Sequence, residues 1–109
     1  MLPKKNRVDK KNIDLLFKEG KFFSLPNFTF KYILSKDKNI EPRISFIISK
    51  KVAKLAVKRN SLRRKGYSVL KKYIDQFPSG VLGVFVFKKY QDDISIIENE
   101  IKNILNKSR

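Results

Sequence analysis

The 109-residue chain has no histidine, no cysteine and no tryptophan. Without histidine it lacks the commonest general acid–base side chain and the commonest zinc ligand. Without cysteine it has neither disulfides nor thiolate metal sites. A self-contained nuclease built on a histidine pair or a zinc centre is therefore excluded. No run of about 18 apolar residues occurs, and no apolar segment follows the basic N-terminus, so the sequence predicts neither a spanning helix nor a signal peptide, and a cytoplasmic protein. Acidic residues are also scarce: ten Asp and Glu stand against 26 Lys and Arg, for a net charge of +16. Between Pro42 and Ile74 there are eleven Lys and Arg and no carboxylate.

Like charges at this density repel in a folded domain, and a polyanion removes that cost, so the expected partner is nucleic acid. Hydrophobic residues make up 41% of the chain, with nine Phe and four Tyr, enough for a core and unlike a disordered basic tail. The length suits one domain over residues 1–109.

The segment 12–20 reads as a short helix with Asn12 as N-cap, Gly20 as C-cap, and Ile13, Leu16 and Phe17 on one apolar face. Residues 1–11 read as extended. Strands are expected at 21–25, 28–34 and 43–49, with a polar loop at 35–42. In the second, Phe28, Phe30 and Tyr32 share one face and Thr29, Lys31 and Ile33 the other. In the third, Ile44, Phe46 and Ile48 oppose Ser45, Ile47 and Ser49. Such a sheet packs one side on a core and leaves the other partly open.

A helix is expected over 55–77. At about 100° per residue, Leu55, Leu62, Val69, Leu70, Tyr73 and Phe77 fall within about 60° of one line. Gly66 falls on that line too. A mid-helix glycine costs roughly 1 kcal/mol against alanine, so its expected use is close contact with the sheet. Asn60, Arg64, Tyr67 and Lys71 fall almost opposite, and Arg59 falls at the edge of the apolar stripe, where helix and sheet meet. The run 81–87 is apolar on both faces, as an inner strand would be. Asp92-Asp93 opens a last helix with Ile94, Ile97, Ile101 and Leu105 at helical spacing. The two acids are better explained by the helix dipole than as a metal pair. Helix, three strands, helix, strand, helix make a small α+β sandwich, whose strand–helix–strand crossover would by default be right-handed if its strands are parallel.

A merely solubilising face normally interleaves Glu among its lysines for i,i+4 pairs, and this one has none. Arginine adds planar, bidentate donors suited to phosphates. On the mixed sheet face, Lys31 and Ser45 with Ile13 and Phe17 are candidates for a groove where bases stack, although core packing explains Ile13 and Phe17 equally well.

These features together resemble the protein subunit of bacterial ribonuclease P. That family carries a signature close to S-K-K-V-G-x-A-V-x-R-N-R-x-K-R. Ser49-Lys50-Lys51-Val52 matches its start, Ala56-Val57-Lys58-Arg59-Asn60 its middle, and Leu62-Arg63-Arg64 its end; Phe17-Lys18-Glu19-Gly20 resembles the family's first helix end. The chain departs from the pattern by one extra residue between Val52 and Ala56, by Ala53 for glycine, by Ser61 for a basic residue and by Gly66-Tyr67. The resemblance implies an α-β-β-β-α-β-α sandwich with a mostly antiparallel four-stranded sheet and a left-handed crossover. It implies binding of a catalytic RNA through Lys50, Lys51, Lys54, Lys58, Arg59, Asn60, Arg63, Arg64 and Lys65. It further implies a cleft at Ile13, Phe17, Lys31 and Ser45 for the single-stranded 5′ leader of precursor tRNA. The RNA, with Mg²⁺ bound mainly by it, would remove the leader; the protein would add affinity for leader and metal, with no catalytic residue and no metal-ligating residue assigned on it. The rival expectations are a ribosomal-protein-like RNA-binding module without a role in cleavage, and a stand-alone nuclease.

Overall fold

The computed structural model describes residues 8, 10–35 and 41–107. Along the chain run α1 (Lys10–Glu19), β1 (Lys21–Ser24), β2 (Phe28–Leu34), β3 (Arg43–Ile47), α2 (Ala56–Tyr73), β4 (Val81–Phe87) and α3 (Ile94–Lys107). The strands form one sheet in the order β1-β2-β4-β3. β1 pairs antiparallel with β2, and β2 with β4; β3 pairs parallel with β4. The architecture is thus the expected mixed α+β order, with β4 inside the sheet and buried along nearly its whole length.

Strand alternation sends side chains into two layers. On one side Phe28, Phe30, Ile44, Phe46, Phe85 and Phe87 meet α2 and α3 in the main core. On the other side Val84 packs with Leu16 of α1 and with Val8, flanked by Ile13, Ile33, Ile47 and Val86. α1 thus covers part of the face expected to be open.

Phe46 organises the main core. Its ring lies 5.2 Å from Phe85 in a stacked pair and 5.2 Å from Tyr67 edge-on. A Cβ on Gly66 would stand 2.9 Å from the Phe46 ring, so only glycine lets α2 seat this closely. Gly66 is therefore used as the sequence predicts. Tyr67 is not on the outer face; it is 3% exposed. Its hydroxyl accepts the Phe46 N–H at 3.2 Å. β3 is an edge strand, and this bond satisfies one of its outward amides. The sheet and α3 together enclose a wider arc of α2 than the predicted stripe.

Other differences have local causes. Leu55 precedes the helix in extended conformation (φ −80°, ψ 132°), so a helical projection does not apply to it, and it is 64% exposed. α2 ends at Tyr73, and a 3-10 turn at Ile74–Gln76 leads to an extended Phe77 that is still buried. Gly80 has φ 83°, which explains glycine at the turn into β4. α1 starts at Lys10, so Asn12 lies inside the helix and is not its cap; lysine is the better helix former. At the other end Gly20 N–H donates to Leu16 O at 2.9 Å, as a helix terminus requires. β3 stops at Ile47, short of the expected Ser49. Ile94, placed on the apolar stripe of α3, is exposed, and Ile104 is buried in the stripe beside Ile97, Ile101 and Leu105. Asp93 behaves as a helix-start acid: its Oδ1 accepts the Ser95 N–H at 2.9 Å. The expected extended segment at 1–11 falls mostly outside the described residues, as does most of the 35–42 loop.

One buried acid had no signal in the sequence. Glu100 of α3 is 4% exposed and accepts Asn27 N–H at 2.8 Å and Asn27 Nδ2–H at 2.7 Å, fastening the β1–β2 turn to α3.

Gly66→Ala should lower unfolding stability by up to about 2 kcal/mol. Overpacking against Phe46 costs roughly 1–3 kcal/mol, and the gain in helix propensity of about 1 kcal/mol offsets only part of it. Urea titration is the check; a stabilised variant would show that the Phe46 ring yields freely.

Candidate nucleic-acid interface

The acid-free block forms a turn and then a helix, and both present their cations outward. Backbone N–H groups of Val52 and Ala53 both donate to Ser49 O, at 3.1 and 3.2 Å, closing a tight turn after β3. That turn leaves Lys50 and Lys51 exposed, and Lys54 follows, exposed as well. Within α2, Lys58, Asn60 and Arg64 are exposed, whereas Arg59, Arg63 and Lys65 are partly covered. Leu62, Gly66, Val69 and Leu70 hold the opposite side against the core. All nine residues expected to meet RNA thus fall on one continuous stretch of turn and helix. Leu55 and Val57 add apolar surface among them, at 64% and 77% exposure.

Arg59 does something the sequence did not show. Its Nη1 donates to Ala53 O at 2.9 Å and to Lys54 O at 2.8 Å. These carbonyls belong to the Ala53–Leu55 segment that holds the extra residue. Arg59 therefore clasps that segment to the first turn of α2 and fixes where Lys54 projects. Arg63 Nη1 donates to Asn60 Oδ1 at 2.9 Å, one turn apart on the same face. Lys65 Nζ lies 3.8 Å from Asp92 Oδ2 just ahead of α3; pairs this exposed are worth little and compete weakly with a phosphate.

The second candidate surface lies across the sheet, beside α1. Lys31 Nζ stands 4.4 Å from the centre of the Phe17 ring, and Phe17 is 46% exposed. Ile13 is half-buried against the smaller core. Ser45, expected beside them, does not line an open groove. It is 6% exposed, and its hydroxyl accepts Val8 N–H at 2.8 Å and donates to Val8 O at 3.4 Å. The chain at Val8 covers it. The structure thus brings Phe17 and Lys31 together, with Ile13 beneath, and removes Ser45 from the surface.

Among the described residues no three acidic side chains come close enough to hold a metal ion, and no helix is long and apolar enough to cross a membrane.

The family model described as Ribonuclease P matches residues 2–109. The chain belongs to the ribonuclease P protein family. The ribonuclease P protein component of a Nitratiruptor species is 36% identical over 102 residues, covering 90% of this chain and 86% of that protein. The same fold is seen in the RNase P protein from Thermotoga maritima, with a TM-score of 0.80 at 20% identity, covering 94% of this chain and 97% of that one. The Staphylococcus aureus RNase P protein matches with a TM-score of 0.76 at 18% identity, covering 95% of each chain. Family membership makes the chain a ribonuclease P subunit, with a place in tRNA processing and the ribonuclease P RNA as its partner.

Arg59→Ala removes the Nη1 donor shared by the Ala53 and Lys54 carbonyls. It should cost about 1 kcal/mol of stability by urea unfolding. A variant as stable as the parent would mean the clasp does not hold the Ala53–Leu55 segment.

Proposed function

We propose that this chain is the non-catalytic subunit of ribonuclease P, binding the catalytic RNA along the turn at Lys50–Lys54 and the outer face of α2. It holds the 5′ leader of precursor tRNA on the α1 side of the sheet, at Phe17 and Lys31. The observation that carries the reading is the cationic surface of the acid-free stretch itself. Lys50, Lys51, Lys54, Lys58 and Arg64 all project from it, and the Arg59 clasp holds the Ala53–Lys54 backbone in place before any partner arrives. A preset row of cations loses less freedom on binding than a flexible tail. The affinity comes largely from counterions released from the RNA backbone.

On the second surface, Phe17 offers a face for a base, and the Lys31 ammonium beside it offers a phosphate contact. The two surfaces lie in different layers of the sandwich, so one protein can touch the catalytic RNA and the substrate's single strand at once. That arrangement favours precursor over mature tRNA by binding alone. In this reading the Mg²⁺ ions that assist leader removal are held by RNA, and the protein contributes affinity and placement.

Reconstitution with a bacterial ribonuclease P RNA at low Mg²⁺ tests the proposal. Added protein should raise cleavage of precursor tRNA and favour precursor over mature tRNA in binding. No gain, or equal binding of the two, would leave only an RNA-binding module. Arg64→Ala should weaken RNA binding and lower the log–log salt slope by roughly one counterion unit. An unchanged slope would place the interface elsewhere.

A further inference from the structure

The short edge strand β1 adds a residue to the surface formed by Phe17 and Lys31. Its register sets Phe22 directly opposite Lys31 across the β1–β2 ladder. Residues opposed in an antiparallel pair point to the same face, with Cβ atoms about 4.5–5.5 Å apart. Lys31 in turn holds its ammonium 4.4 Å from the centre of the Phe17 ring. Phe22, Lys31 and Phe17 therefore share one face across β1, β2 and α1, with the Lys31 ammonium over the Phe17 ring.

Both rings are open to solvent, Phe22 at 65% and Phe17 at 46%. Among the described residues α1 lies chiefly over β2 and β4, away from the β1 end of this face. Nor is Phe22 a core residue displaced by one position. Its neighbour Phe23 points into the other layer and stacks on Tyr32, at 5.6 Å and 6° between planes. The β1 alternation thus commits Phe23 to packing and Phe22 to the surface. An exposed phenylalanine on an edge strand invites edge-to-edge association, a liability that a covering ligand removes.

Two exposed rings and an ammonium on one face complement two bases and a phosphate. We propose that Phe22 is a second stacking position for single-stranded RNA, so that Phe17 and Phe22 each take one base of consecutive nucleotides while the phosphate between them meets Lys31. This rests on the reading that the precursor leader lies on this face, and it lengthens that contact by one nucleotide toward the sheet edge. An apolar peptide would suit two rings but would leave the Lys31 ammonium without a counter-charge; a polynucleotide step satisfies all three groups. Stacking is indifferent to base identity, because every base has a π-face.

The test uses holoenzyme reconstituted with ribonuclease P RNA, and compares precursor and mature tRNA binding for Phe22→Ala, Phe22→Leu, Phe22→Trp and Phe17→Ala. Phe22→Ala and Phe22→Leu should each weaken precursor binding about five- to tenfold, the loss of one stacked base. They should leave mature tRNA binding and the salt slope unchanged, since no charge is lost. Phe22→Trp should bind at least as tightly as the parent, because it keeps a planar face. Precursor affinity unchanged in Phe22→Ala but reduced in Phe17→Ala would overturn the Phe22 contact and leave the leader reading intact. Affinity unchanged in both would overturn the two together. A Phe22→Leu variant equal to the parent would overturn stacking as the interaction.

Discussion

Phe46 is gripped from three directions. Phe85 stacks on its ring, Tyr67 meets the ring edge-on and also accepts its amide N–H, and the bare Cα of Gly66 lets α2 settle against it. This contact sets the distance and rotation of α2 on the sheet. Every cation on the outer face takes its position from that rotation. A helix with so many lysines and arginines and no acid gains nothing from its own charges; they repel one another and offer no i,i+4 pairs. What holds it is the buried side, with Leu62, Val69 and Leu70 in the aromatic core. The stability of the fold and the charge of the interface are thus divided between two sides of one helix.

A similar division runs through the sheet. One layer is filled by the phenylalanine core, which needs two helices to cover it. Among the described residues the other is covered by α1 and the chain at Val8, with Phe17 and Phe22 exposed and Lys31 partly exposed beside them. A binding surface on a rigid sheet backed by a full core keeps its geometry without a ligand. In the proposed function the sandwich holds apart, at fixed spacing, a surface for the catalytic RNA and a surface for the substrate's single strand.

Much of this was legible in the residues. Period-two alternation identified β2 to the residue and marked β4 as interior, because Val81–Phe87 is apolar on both faces. The Ser-Lys-Lys-Val and Arg-Asn spacing pointed to the family. What was hidden has physical causes. A helical projection assumes one buried stripe and so could not place Tyr67, which is buried because the sheet and α3 enclose α2 from two sides. It also treated Leu55 as helical when the chain there is extended. Ser45 is polar and sits on the mixed face, yet nothing nearby in sequence announces that Val8 covers it. The Arg59 clasp and the Glu100–Asn27 bonds tie side chains to partners that no periodicity reports. Phe22 lies in a strand of four residues, too short for alternation to assign its face before the register is known.

Because the chain contains no cysteine, a cleavage reagent can be tethered at a single introduced thiol. Directed hydroxyl-radical cleavage from Lys58→Cys on α2, compared with Asn103→Cys on the exposed side of α3, reads out which face meets the ribonuclease P RNA. The account predicts focused cuts in the catalytic RNA from position 58 and none above background from position 103. Cuts of equal strength from both, or from position 103 alone, would contradict it.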